Sequence, residues 1–158
     1  MDIFVVDDER IIAETLAIIL RGFGYDAIAF CGALPALKAR ALRPKLLLTD
    51  YNMPDLDGVT LIRRFLADQQ GIAAILFTGN DGHCSTELQD YGRDPRRRVL
   101  IKPLAPERLL EEVAMLIGAP SGAPAGRLAD FQHGTPVCGA ALEACSTTRK
   151  GQAVCGNL

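Results

Sequence analysis

Leu46-Leu47-Leu48-Thr49-Asp50, followed by Tyr51-Asn52-Met53-Pro54-Asp55-Leu56-Asp57-Gly58, is the stretch whose reading decides the fold. A short apolar run closed by a polar residue reads as a strand buried on both faces, the habit of a parallel sheet flanked by helices. Three other runs end in the same way. Ile3-Phe4-Val5-Val6 ends on Asp7 and Asp8, Ile72-Ala73-Ala74-Ile75-Leu76-Phe77 ends on Thr78, and Val99-Leu100-Ile101 ends on Lys102 ahead of Pro103. Ligands of open parallel sheets sit outside the carboxyl ends of the strands. If these strands are neighbours, three carboxylates, a hydroxyl and an ammonium converge at one edge. That set suits a divalent cation and a phosphoryl group.

Between the strands the apolar period becomes helical. Ile11, Ile12, Thr15, Leu16, Ile19 and Leu20 repeat at helical spacing, and Gly22 and Gly24 stop that helix. A strand over residues 25–30 and a short helix over 34–42 follow, with Pro35 in the first turn, where proline is tolerated. Gly58 leads into a helix that turns Val59, Leu61, Ile62, Phe65 and Leu66 inward, and a last helix runs from Pro106 to Ile117. Strict alternation predicts an α/β, doubly wound, five-stranded parallel sheet with helices on both faces, most simply in the flavodoxin-like order 2-1-3-4-5. The helix between Asn80 and Arg98 is weakly specified. Only Leu88 and Tyr91 are large and apolar there, and Gly82, Gly92 and Pro95 interrupt the pattern.

The chain has 158 residues, 49% of them hydrophobic and 23% charged, with a formal net charge of −2. This composition supports one core and gives no general pull towards nucleic acid. No apolar run approaches the roughly 18 residues that span a bilayer, and the acidic N-terminus lacks a secretory signal pattern. A cytoplasmic location with reduced cysteines is the expectation. From Ala119 onward glycine and proline punctuate a stretch poor in large apolar side chains, so residues 119–158 read as a flexible tail without an effector domain, appended to a unit over 1–118.

The pair Asp7-Asp8, the stretch from Asp50 to Gly58, the lone Thr78 and the pair Lys102-Pro103 resemble, in order and spacing, the receiver domain of two-component response regulators. The resemblance covers residues 1–118 and implies a single-domain, chemotaxis-regulator-like protein. By that resemblance Asp50 accepts a phosphoryl group from a sensor histidine kinase or phosphotransfer protein, in a Mg²⁺-dependent reaction. The metal ligands are Asp8, Asp50 and the backbone carbonyl of Asn52, with Asp7 holding a metal-bound water. Lys102 supplies the positive charge opposite the metal, Thr78 supplies a hydroxyl that moves to the phosphoryl oxygen, and Lys102–Pro103 is a cis peptide bond. The output is contact with a downstream protein, with no direct DNA binding, no membrane and no enzymatic activity beyond self-catalysed phosphoryl acceptance and hydrolysis.

Other readings compete. A strand-end aspartate, or the Asp7-Asp8 pair, can simply cap a helix. A phosphorylation-independent scaffold is favoured by two departures from the family: Val99 replaces its usual Tyr or Phe three residues before the lysine, and the helix after Asn80 is weak. A haloacid dehalogenase-type phosphatase needs a second aspartate two residues after the first, where Asn52 stands. Arg93, Arg96, Arg97 and Arg98 read as a solvated loop or an acidic partner's docking patch. Cys31 and Cys84 read as small buried residues. Cys138, Cys145 and Cys155 with His133 are spaced too widely for the compact pairs of structural zinc sites and read as free thiols in the tail.

Overall fold

The computed structural model describes residues 1–79, 91 and 93–120. Strands β1 (Ile3–Asp7), β2 (Ala27–Cys31), β3 (Leu46–Asp50), β4 (Ala73–Thr78) and β5 (Arg97–Ile101) form one sheet in the order β2-β1-β3-β4-β5. Every pairing is parallel. Helices α1 (Arg10–Gly22), α2 (Ala33–Lys38) and α3 (Gly58–Asp68) fill the connections, and a final helix spans Pro106–Ile117. The fold is the flavodoxin-like arrangement expected from the alternation.

Side chains alternate across each strand, so every central strand feeds two cores. Ile3, Val5, Leu46, Leu48, Ile75 and Phe77 pack with α1 and the final helix, whereas Phe4, Val6, Leu47 and Leu76 pack with α2, α3 and Tyr91. This double duty is why Leu46, Leu47 and Leu48 are all fully buried and why the run shows no alternation in polarity. The inward residues of α3 are Val59, Leu61, Ile62 and Phe65, with Leu66 half-buried, as the spacing requires.

Helix α1 departs from its expected inner face. Its buried residues are Ala13, Ala17 and Leu20, with Leu16 packed beside them, while Ile11 and Ile18 are exposed. Small residues let the helix axis lie close to the sheet, and the bulky isoleucines fall to its outer side. The helix stops at Gly22, and Gly24 carries a φ of 95° that other residues rarely adopt. The helix expected over 34–42 splits into α2 and a short 3₁₀ turn over Arg40–Leu42.

The arginine run is another correction. Arg97 and Arg98 belong to β5, which therefore starts earlier than the apolar run suggested. Arg97 pairs with Asp94 at 3.2 Å, Arg98 with Glu112 at 3.0 Å, and Arg96 donates to the Gly71 carbonyl. An edge strand leaves room at its rim for long cationic side chains to lie along the surface and find partners. Cys31 also differs from expectation: it is exposed, because it ends the edge strand β2, and its Sγ donates to the Asp8 carbonyl at 3.3 Å. The weak helix after Asn80 lies outside the described residues apart from Tyr91, and so do Cys84, His133, Cys138, Cys145, Cys155 and the tail from residue 121. No helix among the described residues is long and apolar enough to cross a membrane.

Candidate functional site

Parallel pairing in register brings the ends of β1, β3 and β4 to one edge of the sheet. Asp50 on β3 lies opposite Phe77 on β4, and Thr78 lies opposite Ile101 on β5, one residue before Lys102. The edge continues past β5 through a bond from the Lys102 amide to the Thr78 carbonyl at 2.8 Å. The Lys102–Pro103 peptide is cis.

The Lys102 ammonium joins the cluster. Its Nζ lies 2.7 Å from Asp50 Oδ1 and 3.0 Å from Asp7 Oδ2, and the Phe77 ring sits 6.0 Å from it. Burial works against the charge on Lys102, but hydrogen bonds to Asp50 and Asp7 outweigh it and raise its pKa, so the lysine is cationic at neutral pH. Backbone amides hold the remaining carboxylate oxygens. Asp7 Oδ1 accepts from the Glu9 amide at 2.9 Å, and Asp50 Oδ2 accepts from the Asn52 amide at 2.8 Å. Asp50 is 8% exposed and Asp7 2%, so both carboxylates are nearly buried.

Capping does not account for the aspartates. The N-cap of α1 is Glu9, without a side-chain cap bond, and the cap of α3 is Asp57, which accepts from the Thr60 amide and hydroxyl. Burial pushes the Asp57 pKa up, but the Thr60 bonds prevail and hold it below the usual carboxylate range.

Asp7, Asp50 and Lys102 are thus in direct contact, and Asn52 meets Asp50 through its amide. Asp8 is exposed, and Thr78 is buried with its hydroxyl on the Gly79 carbonyl at 3.1 Å. Among the described residues no three His, Cys, Asp or Glu side chains are gathered as a ligating cluster. Here the ammonium takes an oxygen of both Asp7 and Asp50, while Asp8 faces solvent. The donor chemistry nevertheless fits Mg²⁺, which takes oxygen ligands, keeps several waters and needs few protein groups. Two buried carboxylates against one ammonium, with Asp8 adding a third negative charge at the rim, leave room for a cation in the electrostatic balance.

Two packing features go beyond the sequence reading, the closeness of Gly58 to β3 and the burial of Glu112. Gly58 lies so close that a Cβ there would stand 2.2 Å from the Asp50 carbonyl oxygen. Its place after Asp57, at a helix start, was the available signal. Glu112 is buried at 3% exposure between Arg98 and Arg108. Its spacing of four residues from Arg108 hinted at a pair, but nothing hinted at the burial.

Residues 3–114 match the family described as the response regulator receiver domain. The chain belongs to that family. Among curated relatives, the DNA-binding response regulator MtrA of Mycolicibacterium paratuberculosis is 33% identical over 138 residues, covering 85% of this chain and 60% of the relative. A response regulator receiver protein of an Anaeromyxobacter species is 38% identical over 109 residues, covering 68% of this chain and 44% of the relative. The chain spans about half the length of the curated relatives it matches. The receiver domain of NtrX from Brucella abortus superposes with a TM-score of 0.61 at 28% identity, covering 73% of this chain and 98% of that one. The Vibrio cholerae chemotaxis protein CheY4 superposes at 0.63 and 23% identity, covering 73% and 98%, which is a likeness of fold.

Proposed function

We propose that this receiver domain is a phosphorylation switch whose acceptor is Asp50, charged by a histidine kinase or a phosphotransfer protein. The observation that carries the reading is the placement of one nearly buried carboxylate, Asp50, against the Lys102 ammonium and the Asn52 amide at the open edge of the sheet. A carboxylate oxygen attacks the phosphorus of a phosphohistidine, the P–N bond breaks, and an acyl phosphate forms. Such transfer depends on positioning and charge neutralisation more than on covalent chemistry by the protein. Lys102 positions the carboxylate and offsets the incoming charge. Asp8, Asp50 and the Asn52 carbonyl, with Asp7 on a bound water, would hold Mg²⁺, which would supply the remaining positive charge. Among the described residues, the Thr78 hydroxyl donates to its neighbour's carbonyl, and it would leave that bond for a phosphoryl oxygen.

The acyl phosphate is lost to water by the same site, and no separate substrate is turned over. The signal leaves by protein contact. Near the site and along β5 the cations Arg97, Arg98 and Lys102 are matched with carboxylates, which leaves little unpaired charge there for a phosphate backbone.

The test is incubation of the whole chain with acetyl phosphate and Mg²⁺, read by intact mass. The wild type should gain one phosphoryl group and Asp50→Asn none. Equal labelling of both proteins would remove Asp50 from its role, and an unlabelled wild type would favour the scaffold.

A further inference from the structure

The sheet has another edge, at the amino ends of its strands, opposite the one that holds Asp50. Lys45 precedes β3, Ala73 opens β4 and Arg96 precedes β5. The Ala73 and Ala74 amides donate to the carbonyls of Lys45 and Arg96, both at 3.0 Å. Lys45, Ala73 and Arg96 line a cavity of about 350 Å³, whose wall is continued by Leu116 and Ile117 in the last turn of the final helix. That volume lies at the lower end of the range in which proteins hold small organic molecules. The proposed phosphoryl chemistry uses none of these residues.

The charges beside this cavity do not cancel. Lys45 is paired with Asp2 at 2.8 Å, and Asp94, which accepts from the Arg96 amide at 2.9 Å, is paired with Arg97. The Arg96 guanidinium donates to a neutral partner, the Gly71 carbonyl, and meets no carboxylate among the described residues. These five side chains together therefore carry one positive charge. The bond to Gly71 fixes the guanidinium at the cavity wall and leaves most of its five N–H donors for another acceptor. Gly71 has a φ of 88°, and a Cβ there would stand 2.9 Å from Arg96 Nη1, so the glycine makes room for the cation. The Gln69 amide group, also on the wall, is spent on the Pro44 carbonyl at 2.9 Å. Fixed cationic donors thus stand beside the apolar side chains of Ala73, Leu116 and Ile117.

We propose that this cavity binds a small organic monocarboxylate, its carboxylate on the Arg96 guanidinium with Lys45 beside it and its apolar body against Leu116 and Ile117. A guanidinium matches a planar carboxylate with two parallel N–H···O bonds. One carboxylate balances the single positive charge, whereas a phosphate dianion would overshoot it. The apolar wall gives the rest of the ligand a surface on which to leave water. A ligand seated here would join the starts of β4 and β5 to the end of the final helix, far along the strands from the acceptor edge.

The probe is benzoate, added to the full chain without Mg²⁺ and followed through the backbone amide resonances. Saturable shifts are expected at Gly71, Ala73, Arg96 and Ile117, at the millimolar concentrations natural for so small a ligand. Benzamide keeps the shape without the charge, and acetate keeps the charge without the ring; each should bind about ten-fold more weakly, the loss of roughly one charged hydrogen bond or of the buried ring. Arg96 is exposed, so Arg96→Gln should fold as the wild type does and lose about ten-fold in benzoate affinity. Asp50→Asn should bind benzoate as the wild type does, so the outcome is independent of the acceptor reading. Shifts confined to Asp50, Thr78 and Lys102 would place the anion at the opposite edge and overturn the proposal. So would the absence of saturable shifts, equal binding of benzamide or acetate, or an unchanged affinity of Arg96→Gln.

Discussion

Replacing Gly58 with alanine tests how tightly the fold holds Asp50, the proposed phosphoryl acceptor. A Cβ at this position would stand 2.2 Å from the Asp50 carbonyl oxygen, 2.6 Å from Leu76 Cδ1 and 3.1 Å from the Asp50 carbonyl carbon. Carbon and carbonyl oxygen approach to about 3.3 Å, so one of the two segments must retreat by roughly 1 Å. The leucine methyl can rotate away. The Asp50 carbonyl cannot, because it belongs to the backbone at the end of a buried strand. The start of α3 is itself held by the bond from the Gly58 amide to the Tyr51 carbonyl at 3.0 Å and by the Asp57 cap. Overpacking of this kind costs about 1–3 kcal/mol of stability. A misplacement of about 1 Å in a reacting group costs on the order of 100-fold in rate. Gly58→Ala should therefore show both effects, a lowered urea midpoint and acetyl phosphate labelling slowed by about two orders of magnitude, followed by intact mass over time. Gly22, at the end of α1 with no atom within 4 Å of its added Cβ, is the control, and Gly22→Ala should leave the labelling rate unchanged. Wild-type labelling by Gly58→Ala would refute the argument, because it would show that Asp50 tolerates displacement.

Lys102→Met removes the shared partner of Asp7 and Asp50. Losing one member of a buried ion cluster costs about 3–5 kcal/mol, but the lysine side chain is 31% exposed and water reduces this to about 1–3 kcal/mol. Added Mg²⁺ should restore much of the urea midpoint of this variant and shift the wild type less. A variant as stable as the wild type without metal would show that the carboxylates do not depend on the ammonium. Asp57→Ala should cost about 1 kcal/mol at neutral pH through loss of the α3 cap. The Asp57 pKa is lowered on folding, so its contribution is present above the unfolded value of about 3.9 and fades as pH falls through the lower folded value. The gap between wild type and Asp57→Ala in denaturation should thus close below about pH 4, and a constant gap down to pH 2 would argue against the Thr60 bonds as its source.

The positions of Asp7, Asp50, Thr78 and Lys102 could be read in advance because each ends an apolar run, and a parallel sheet leaves strand ends nowhere else to go. Their mutual contacts could not. Whether an ammonium or a cation stands between two carboxylates depends on side-chain reach, which spacing does not carry. The inner face of α1 was misjudged for a related reason. Periodicity of the large apolar residues puts Ile11 on the inner face and passes over Ala13, yet the alanine is the one buried and Ile11 is exposed. Arg97 and Arg98 resembled a loop because charge argues against a buried strand, yet β5 is an edge strand and its rim accepts them. Cys31 misled in the opposite direction, a small apolar type placed at an exposed strand end.

Two ionic clusters of this domain show why one is read as a site and the other as structure. Arg98 and Arg108 close on the carboxylate of Glu112, at 3.0 and 2.6 Å, so that one buried anion is satisfied by two cations and its oxygens face the protein. Nothing further is required there; the Arg98 guanidinium ties β5 to the final helix, and Arg108 closes on the same carboxylate from within that helix. At the strand edge the ratio is reversed. Among the described residues Lys102 is the cation that faces Asp7 and Asp50, and Asp8 stands exposed at the rim. A phosphoryl group approaching this edge brings further negative charge, which the resident ammonium cannot offset by itself. Each carboxylate oxygen already accepts one hydrogen bond, yet each carboxylate retains acceptor capacity for more. The imbalance is therefore a standing demand for a cation, located where the sheet opens to solvent. A buried cluster that balances its own charges stabilises a fold, whereas one left short of positive charge at an open edge is arranged to take it from outside.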